Sequence, residues 1–131
     1  MKKTPLLNRD ISEVIAGMGH RDMLVVADAG LPIPANVRRI DLAVRAGLPG
    51  FIEVLQAVLE ELKVEEAIVA SEMEERSPRM LAQLMEVLRG VPINSVIHEN
   101  LKLQTARSRA VVRTGEFTPY ANVILIAGVT F

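Results

Sequence analysis

The chain lacks cysteine and tryptophan altogether and carries few other aromatic side chains. Its 131 residues include one tyrosine and three phenylalanines, so aromatic residues make up 3% of the chain. The absence of cysteine excludes disulfides and thiolate metal sites, and it is compatible with a reducing compartment. Since 50% of the residues are nevertheless hydrophobic, the core must be built from aliphatic side chains and methionine.

An excess of one charge and a long apolar run are also missing. The 15 basic and 16 acidic residues nearly cancel, which offers no electrostatic reason to expect nucleic acid or an anionic membrane as a partner. The opening "MKKTPLLNRD" has an apolar stretch of only Leu6 and Leu7, too short for a signal peptide. No run approaches the ~18 apolar residues of a membrane span. We therefore expect a cytoplasmic protein with no membrane partner.

What the chain does have is an alternation of short apolar runs and amphipathic segments, which is typical of an α/β protein. Helices are predicted around residues 11–18, 51–62, 78–88 and 100–108, and strands around residues 23–27, 39–44, 67–70, 93–99, 110–115 and 122–129. The length suits one domain covering residues 1–131. We expect a three-layer α/β/α sandwich with a mixed, largely parallel sheet, because the last two strands lie close together in sequence.

Polar residues at the margins of the apolar runs are the candidates for chemistry. His20 precedes the first predicted strand, Asp28 follows it, and His98 follows a later apolar run. Ligands of open α/β sheets bind outside the carboxyl ends of the strands, which favours Asp28 and His98. Each residue also has a purely structural explanation, since His20 can follow a helix end, Asp28 can cap a turn and His98 can lie on the surface.

Motifs for cofactors, metals and nucleophiles are missing. The segment "DAGLPIP" contains one glycine where a dinucleotide fingerprint needs three, and "AGLPG" does not precede the Lys-Ser/Thr pair of a phosphate loop. The two histidines stand far apart, without the spacing of metal ligands. The residues therefore predict neither a metal nor a cofactor, and they leave acid–base chemistry open.

Three longer strings give the chain a specific likeness. "MGHRDMLVVADAGLPIP", "IDLAV…GLPGF" and "AVVRTGEFTPYANVILIAGVTF" resemble the D-ribose pyranase family, whose relatives include the fucose mutarotases. The resemblance runs nearly from end to end. Fucose-type members typically lack Gly-Leu after Asp-Ala and have Tyr-Gly-Asn at residues 120–122, so the ribose branch is favoured.

The resemblance implies roles for particular residues. His20 in "MGHRD" matches the family's proton donor, and Asp28 in "ADAG" matches its sugar-binding aspartate. The remaining sugar contacts, a second histidine and a Tyr-x-Asn string, match His98, Tyr120, Ala121 and Asn122. The implied enzyme is an isomerase that interconverts the β-pyranose and β-furanose forms of D-ribose. Acid–base catalysis suffices for this reaction, so no metal or cofactor is required.

Two alternatives to this activity and a question of assembly remain. The alternatives are a fucose-type sugar mutarotase and a non-catalytic sugar-binding module. Members of the family form pentameric rings or pairs of rings with sites between subunits, which implies a homo-oligomer, a pentamer or homodecamer, here. A five-residue strand of roughly 17 Å, at ~3.3 Å per residue, separates His20 from Asp28. The two residues therefore share a pocket only if the chain folds back or a neighbouring subunit completes the pocket.

Overall fold

The fold consists of five helices and six strands, and the computed structural model describes all residues, 1–131. The helices are α1 (Arg9–Gly17), α2 (Phe51–Leu59), α3 (Met73–Arg76), α4 (Pro78–Val87) and α5 (His98–Thr105). The strands are β1 (Met23–Ala27), β2 (Arg38–Asp41), β3 (Val64–Ala70), β4 (Ile93–Val96), β5 (Ala110–Arg113) and β6 (Val123–Ala127). None of the helices has the length and apolar content needed to cross a membrane.

All six strands belong to one sheet with the order β2-β5-β1-β6-β3-β4. Five strands run in the same direction, while β6 runs against them and pairs antiparallel with β1 and with β3. This arrangement confirms the predicted mixed, largely parallel sheet. Closeness in sequence does not make the last two strands neighbours, however, because β1 lies between β5 and β6.

Helices cover both faces of this sheet. The crossovers through α2 and through α4 move along the sheet in one direction, whereas the crossover through α5 moves back. Because crossovers between parallel strands are right-handed, α2 and α4 lie on one face, where they contact each other. The same rule puts α5 on the opposite face. The molecule is therefore the predicted three-layer α/β/α sandwich.

The core is centred on the inner strands. Every residue of β6 and four of the five residues of β1 are buried, whereas the edge strands β2 and β4 contain one buried residue between them, Ile40. The 34 buried hydrophobic residues form one cluster in which Phe51 is the single aromatic residue. Aliphatic side chains and methionine thus supply nearly all of the apolar burial, as the composition requires.

Four predicted strands (β2, β4, β5 and β6) are shorter in the structure than in the prediction, and local hydrogen bonds explain the ends of β2 and β4. The second strand ends at Asp41, because its Oδ1 accepts a hydrogen bond from the Ala43 amide at 3.1 Å and turns the chain. The fourth strand ends at Val96, so His98 is the first residue of α5 and does not end a strand. The reason is that the carbonyl of Ile97 accepts hydrogen bonds from the Asn100 and Leu101 amides, which starts the helix.

Candidate active site

The sheet topology brings distant parts of the chain together at one end of the strands. The carboxyl ends of the five parallel strands lie at this end of the sheet, together with the start of β6. Because β1 lies between β5 and β6, the segment 114–122 that joins them crosses the carboxyl end of β1. Asp28 follows β1 directly, so most of the string "RTGEFTPYAN" lies over this aspartate although Asn122 is 94 residues away in sequence.

An open cavity of about 270 Å³ lies at the carboxyl ends of these strands. Its lining consists of Asp28, Gly30, Leu31, Arg76, His98, Pro119 and Tyr120. A neighbouring cavity of about 370 Å³ shares Asp28 with it and extends along the crossing segment to Phe117. No three His, Asp or Glu side chains come together in the chain in a way that would hold a metal ion. Three of the predicted site residues, Asp28, His98 and Tyr120, thus share one polar cavity.

Asp28 is oriented by hydrogen bonds to both of its carboxylate oxygens. Oδ1 accepts from the Gly30 amide, and Oδ2 accepts from Nδ2 of Asn122, each at 2.9 Å. Oδ1 of Asn122 in turn accepts from the Asp28 amide at 2.9 Å. Asn122 is fully buried, so its amide group contacts Asp28 and does not line the cavity. The carboxylate of Asp28 retains free lone pairs and is therefore an oriented acceptor at the cavity wall.

The turn that carries Tyr120 has a constrained backbone. Tyr120 has a φ of 63°, in the left-handed region that residues other than glycine rarely adopt. The Asn122 amide donates to the Tyr120 carbonyl at 2.7 Å and closes a tight turn around Ala121, which is fully buried. The Tyr120 ring meets His98 edge to face, with ring centroids 5.0 Å apart. Such strained backbone is concentrated at functional sites, where the surrounding structure holds it in place.

His98 is held through its backbone by a carboxylate from the end of β3. Both oxygens of Glu72 lie 3.0 Å from the His98 amide and accept its hydrogen bond, which satisfies one of the free N–H groups at the start of α5. This bond is the main reason that the pKa of Glu72 is lowered. Nδ1 of His98 is buried without a hydrogen-bond partner, so Nε2 is the ring nitrogen left to contact a ligand.

Glu116 fastens the crossing segment to α2. Its Oε1 accepts from the Phe51 amide at 3.1 Å, and its Oε2 accepts from the amide and hydroxyl of Thr118 at 3.3 and 2.9 Å. Partial burial of Glu116 opposes ionisation, but these hydrogen bonds outweigh burial and hold the pKa of Glu116 below its ordinary value. Arg113, the last residue of β5, binds the chain just after β1, because its Nε donates to the Ala29 carbonyl at 3.0 Å.

His20 lies away from this cavity. It belongs to the turn between α1 and β1, at the amino end of β1, and its side chain is 54% exposed. The Arg21 amide fastens this turn to the end of β6 by donating to the Ala127 carbonyl at 2.9 Å. The full length of β1 separates His20 from Asp28, so the chain does not fold back to join them. Within one chain, therefore, the cavity lacks His20.

Two carboxylates that contact the histidines were not predicted from the sequence. Nε2 of His20 lies 3.0 Å from the carboxylate of Glu65 in β3, and Glu72 binds the His98 amide as described. Glu65 lies just before the apolar run at residues 67–70, and Glu72 lies just after it. A charged residue beside a buried run is the one local signal at these positions, and this signal does not identify their partners.

A doubly covered sheet with a small polar cavity at the carboxyl ends of its strands defines an α/β protein of the class that binds small polar ligands. Comparison with known proteins identifies the particular family. The chain belongs to the RbsD / FucU transport protein family, whose model matches residues 1–130.

Curated relatives match the chain over its full length. A D-ribose pyranase of Symbiobacterium thermophilum is 60% identical over 131 residues, which is 100% of both chains. A D-ribose pyranase of Coprothermobacter proteolyticus is 55% identical over the same length, again with 100% of both chains covered.

Solved structures agree with the observed fold. RbsD of Bacillus subtilis, in complex with D-ribose, superposes with a TM-score of 0.97 at 44% identity, covering 100% of both chains. The fucose mutarotase of Streptococcus pneumoniae, in complex with L-fucose, superposes with a TM-score of 0.83 at 23% identity, also over 100% of both chains. The second likeness shows the shared fold alone.

Proposed function

We propose that this protein is a D-ribose pyranase of the cytoplasm, acting as one domain over residues 1–131. It interconverts the β-pyranose and β-furanose forms of D-ribose and is thus an isomerase. The observation that carries the proposal is the 60% identity over the full length to a D-ribose pyranase. The ribose-bound RbsD, which has the same fold over its whole chain, supports D-ribose as the ligand.

The reaction is an acid–base opening and reclosure of a hemiacetal. A proton is added to the ring oxygen at C5 as its bond to C1 breaks, and the anomeric hydroxyl loses a proton to an acceptor in the pocket. The open aldehyde rotates, and the hydroxyl at C4 attacks C1. This hydroxyl loses its proton to the group that protonated the C5 oxygen, and the aldehyde oxygen regains a proton from the acceptor. Imidazole exchanges protons near neutral pH, so His20 is the proposed donor at the ring oxygen. General acid–base catalysis of this kind contributes roughly 10²–10⁴-fold.

The cavity residues hold the sugar during this exchange. We assign Asp28 as the acceptor of hydrogen bonds from sugar hydroxyls, since both of its oxygens are already oriented. His98, through Nε2, and the Tyr120 hydroxyl are the proposed partners of other hydroxyls. Asn122 belongs to the site by holding Asp28, and Ala121 by forming the turn beneath Tyr120. This division of roles rests on the burial of Asn122 and Ala121.

A neighbouring subunit is proposed to complete each pocket. His20 is exposed near the amino end of β1, at the opposite end of this strand from the cavity. A homo-oligomer can therefore bring His20 of one subunit to the cavity of the next. Exposed apolar side chains, among them Leu7, Val44 and Phe117, supply surface for such contacts. A pentameric ring or a pair of such rings, a decamer, repeats this contact at every interface.

Saturation transfer between the pyranose and furanose signals of ribose in NMR spectra tests the proposed activity. We expect added protein to speed exchange well above the rate in buffer. Exchange at the buffer rate, with ribose still bound, would reduce the protein to a sugar-binding module. The same experiment with L-fucose addresses the alternative of a fucose-type mutarotase. Faster exchange between the fucose anomers than between the ribose ring forms would favour that alternative over the proposal.

A further inference from the structure

The exposed turn before β1 is joined to β3 through the His20 side chain. Nε2 of His20 lies 3.2 Å from Oε1 and 3.0 Å from Oε2 of Glu65. His20 and Glu65 are 45 residues apart in sequence, and both belong to the same chain. Glu65, like His20, does not line the cavity of its own chain that holds Asp28, and its contact with His20 is its link to the proposed proton donor.

Glu65 is itself held from a second side. Nη1 of Arg21 donates to Glu65 at 2.9 Å and to Glu66 at 3.1 Å, while Asn94 donates to Glu66 at 2.7 Å. Arg21 has a φ of 69°, the left-handed conformation that turns the chain directly after His20. The hydrogen bond from Arg21 is the main cause that lowers the pKa of Glu65. Glu65 is therefore ionised at neutral pH and acts only as an acceptor.

An acceptor at Nε2 determines which nitrogen carries the proton in neutral His20. Since Glu65 offers no hydrogen, a hydrogen bond at this contact requires N–H on Nε2. Nδ1 is then the nitrogen that gives or takes a proton from another partner. The remaining charged groups around the turn are Asp22, whose Oδ2 accepts from the Gly19 amide at 2.8 Å, and Arg109, which pairs with Asp22 at 3.0 Å.

We propose that Glu65 is a positioning residue that holds His20 in the Nε2–H form and leaves Nδ1 to exchange the proton with the sugar ring. The proposal rests on the proposed role of His20 as proton donor. In the free ring the two neutral forms compete and the ring rotates, so only a fraction of encounters would be productive. A fixed carboxylate selects one neutral form and holds the orientation of the ring, as it does for histidines in other catalytic and metal sites.

The matched variants are Glu65→Gln and Glu66→Gln. Each removes one carboxylate charge from β3 and one partner of Arg21, but only the first removes the charge next to His20. For Glu65→Gln we expect kcat for ring exchange to fall about 10- to 100-fold, less than the full general-acid contribution, with KM changing little. For Glu66→Gln we expect kcat and KM near those of the wild type.

The ¹⁵N chemical shifts of the imidazole give a readout that does not depend on activity. The chain has two histidines, so histidine-labelled protein in solid-state NMR gives two resolved rings at any oligomer size. We expect His20 of the wild type to be the Nε2–H form and Glu65→Gln to show a mixture of both forms. A wild-type His20 with its proton on Nδ1 would overturn the proposal.

The two measurements separate the proposal from the proposed function. If the wild type does not accelerate ring exchange, the proposed function fails, whatever form His20 adopts. If the wild type is active and Glu65→Gln retains its full kcat, the positioning role is wrong while the activity stands. A loss of kcat without any change in the His20 spectrum would likewise refute the positioning role, as would an equal loss in Glu66→Gln.

Discussion

A mixed oligomer of His20→Ala and Asp28→Ala subunits should be active, although each variant alone is impaired in ring exchange. Each variant keeps the group that the other lacks. His20 and Asp28 lie at opposite ends of β1, so the two groups of one chain do not meet in one pocket. If the pocket lies between subunits, a His20→Ala subunit offers an intact cavity that an Asp28→Ala neighbour completes with its own His20. The two variants are unfolded together, refolded as an equal mixture and compared with each parent refolded alone.

The expected recovery follows from counting interfaces. In a random equal mixture, the cavity is intact at about half of the interfaces, and about half of those receive an intact His20. About one quarter of the pockets therefore contain both groups, and the mixture should reach about one quarter of the wild-type rate. His20→Ala alone should lie about 10²–10⁴-fold below the wild type, so the recovery is easily distinguished from the average of the parents.

The matched control mixes Asp28→Ala with His98→Ala. These residues line the same cavity of one chain, so every cavity in the mixture lacks one or the other and no recovery is expected. Differently tagged variants that copurify establish that the subunits have mixed. A mixture of His20→Ala and Asp28→Ala that stays at the level of its parents would refute the shared pocket. Recovery in the control would show that Asp28 and His98 act from different chains, against the observed geometry.

Replacing His20 with alanine should slow exchange about 10²–10⁴-fold while ribose still binds; an unchanged rate would move the proton donor to His98. Asp28→Ala should weaken binding as well as exchange, since it leaves sugar hydroxyls and the buried Asn122 amide unpaired at about 1–3 kcal/mol each. Calorimetry with unaltered ribose affinity would contradict this role. The His98 amide lowers the pKa of Glu72 from its ordinary 4.5, so the contribution of Glu72 to stability is complete above pH 4.5 and is lost as the pH falls through the folded-state value. Melting temperatures of the wild type and Glu72→Gln should converge in acid, and a constant difference at low pH would argue against this contribution.

Local sequence patterns determined most of the elements and the fold class. The run at Met23–Ala27 is short and apolar throughout, so it reads as a strand buried on both faces, and this is what the structure contains. Pro78 after Ser77 correctly marked the start of α4. The patterns are reliable here because the spacing of apolar residues along a short segment reflects which side of that helix or strand is buried. Asp28 at a strand end was a candidate for the same local reason.

The tertiary structure alone decided which distant residues meet. The insertion of β1 between β5 and β6 carries Tyr120 and Asn122 over Asp28, and the position of β3 brings Glu65 to His20. It also separates His20 from the cavity, which the sequence left open. Strand order depends on how whole faces of the helices and the sheet pack together. One local pattern of apolar residues is compatible with several different strand orders. Contacts between residues 45 or 94 positions apart therefore follow from the packed fold and from no single stretch of the chain.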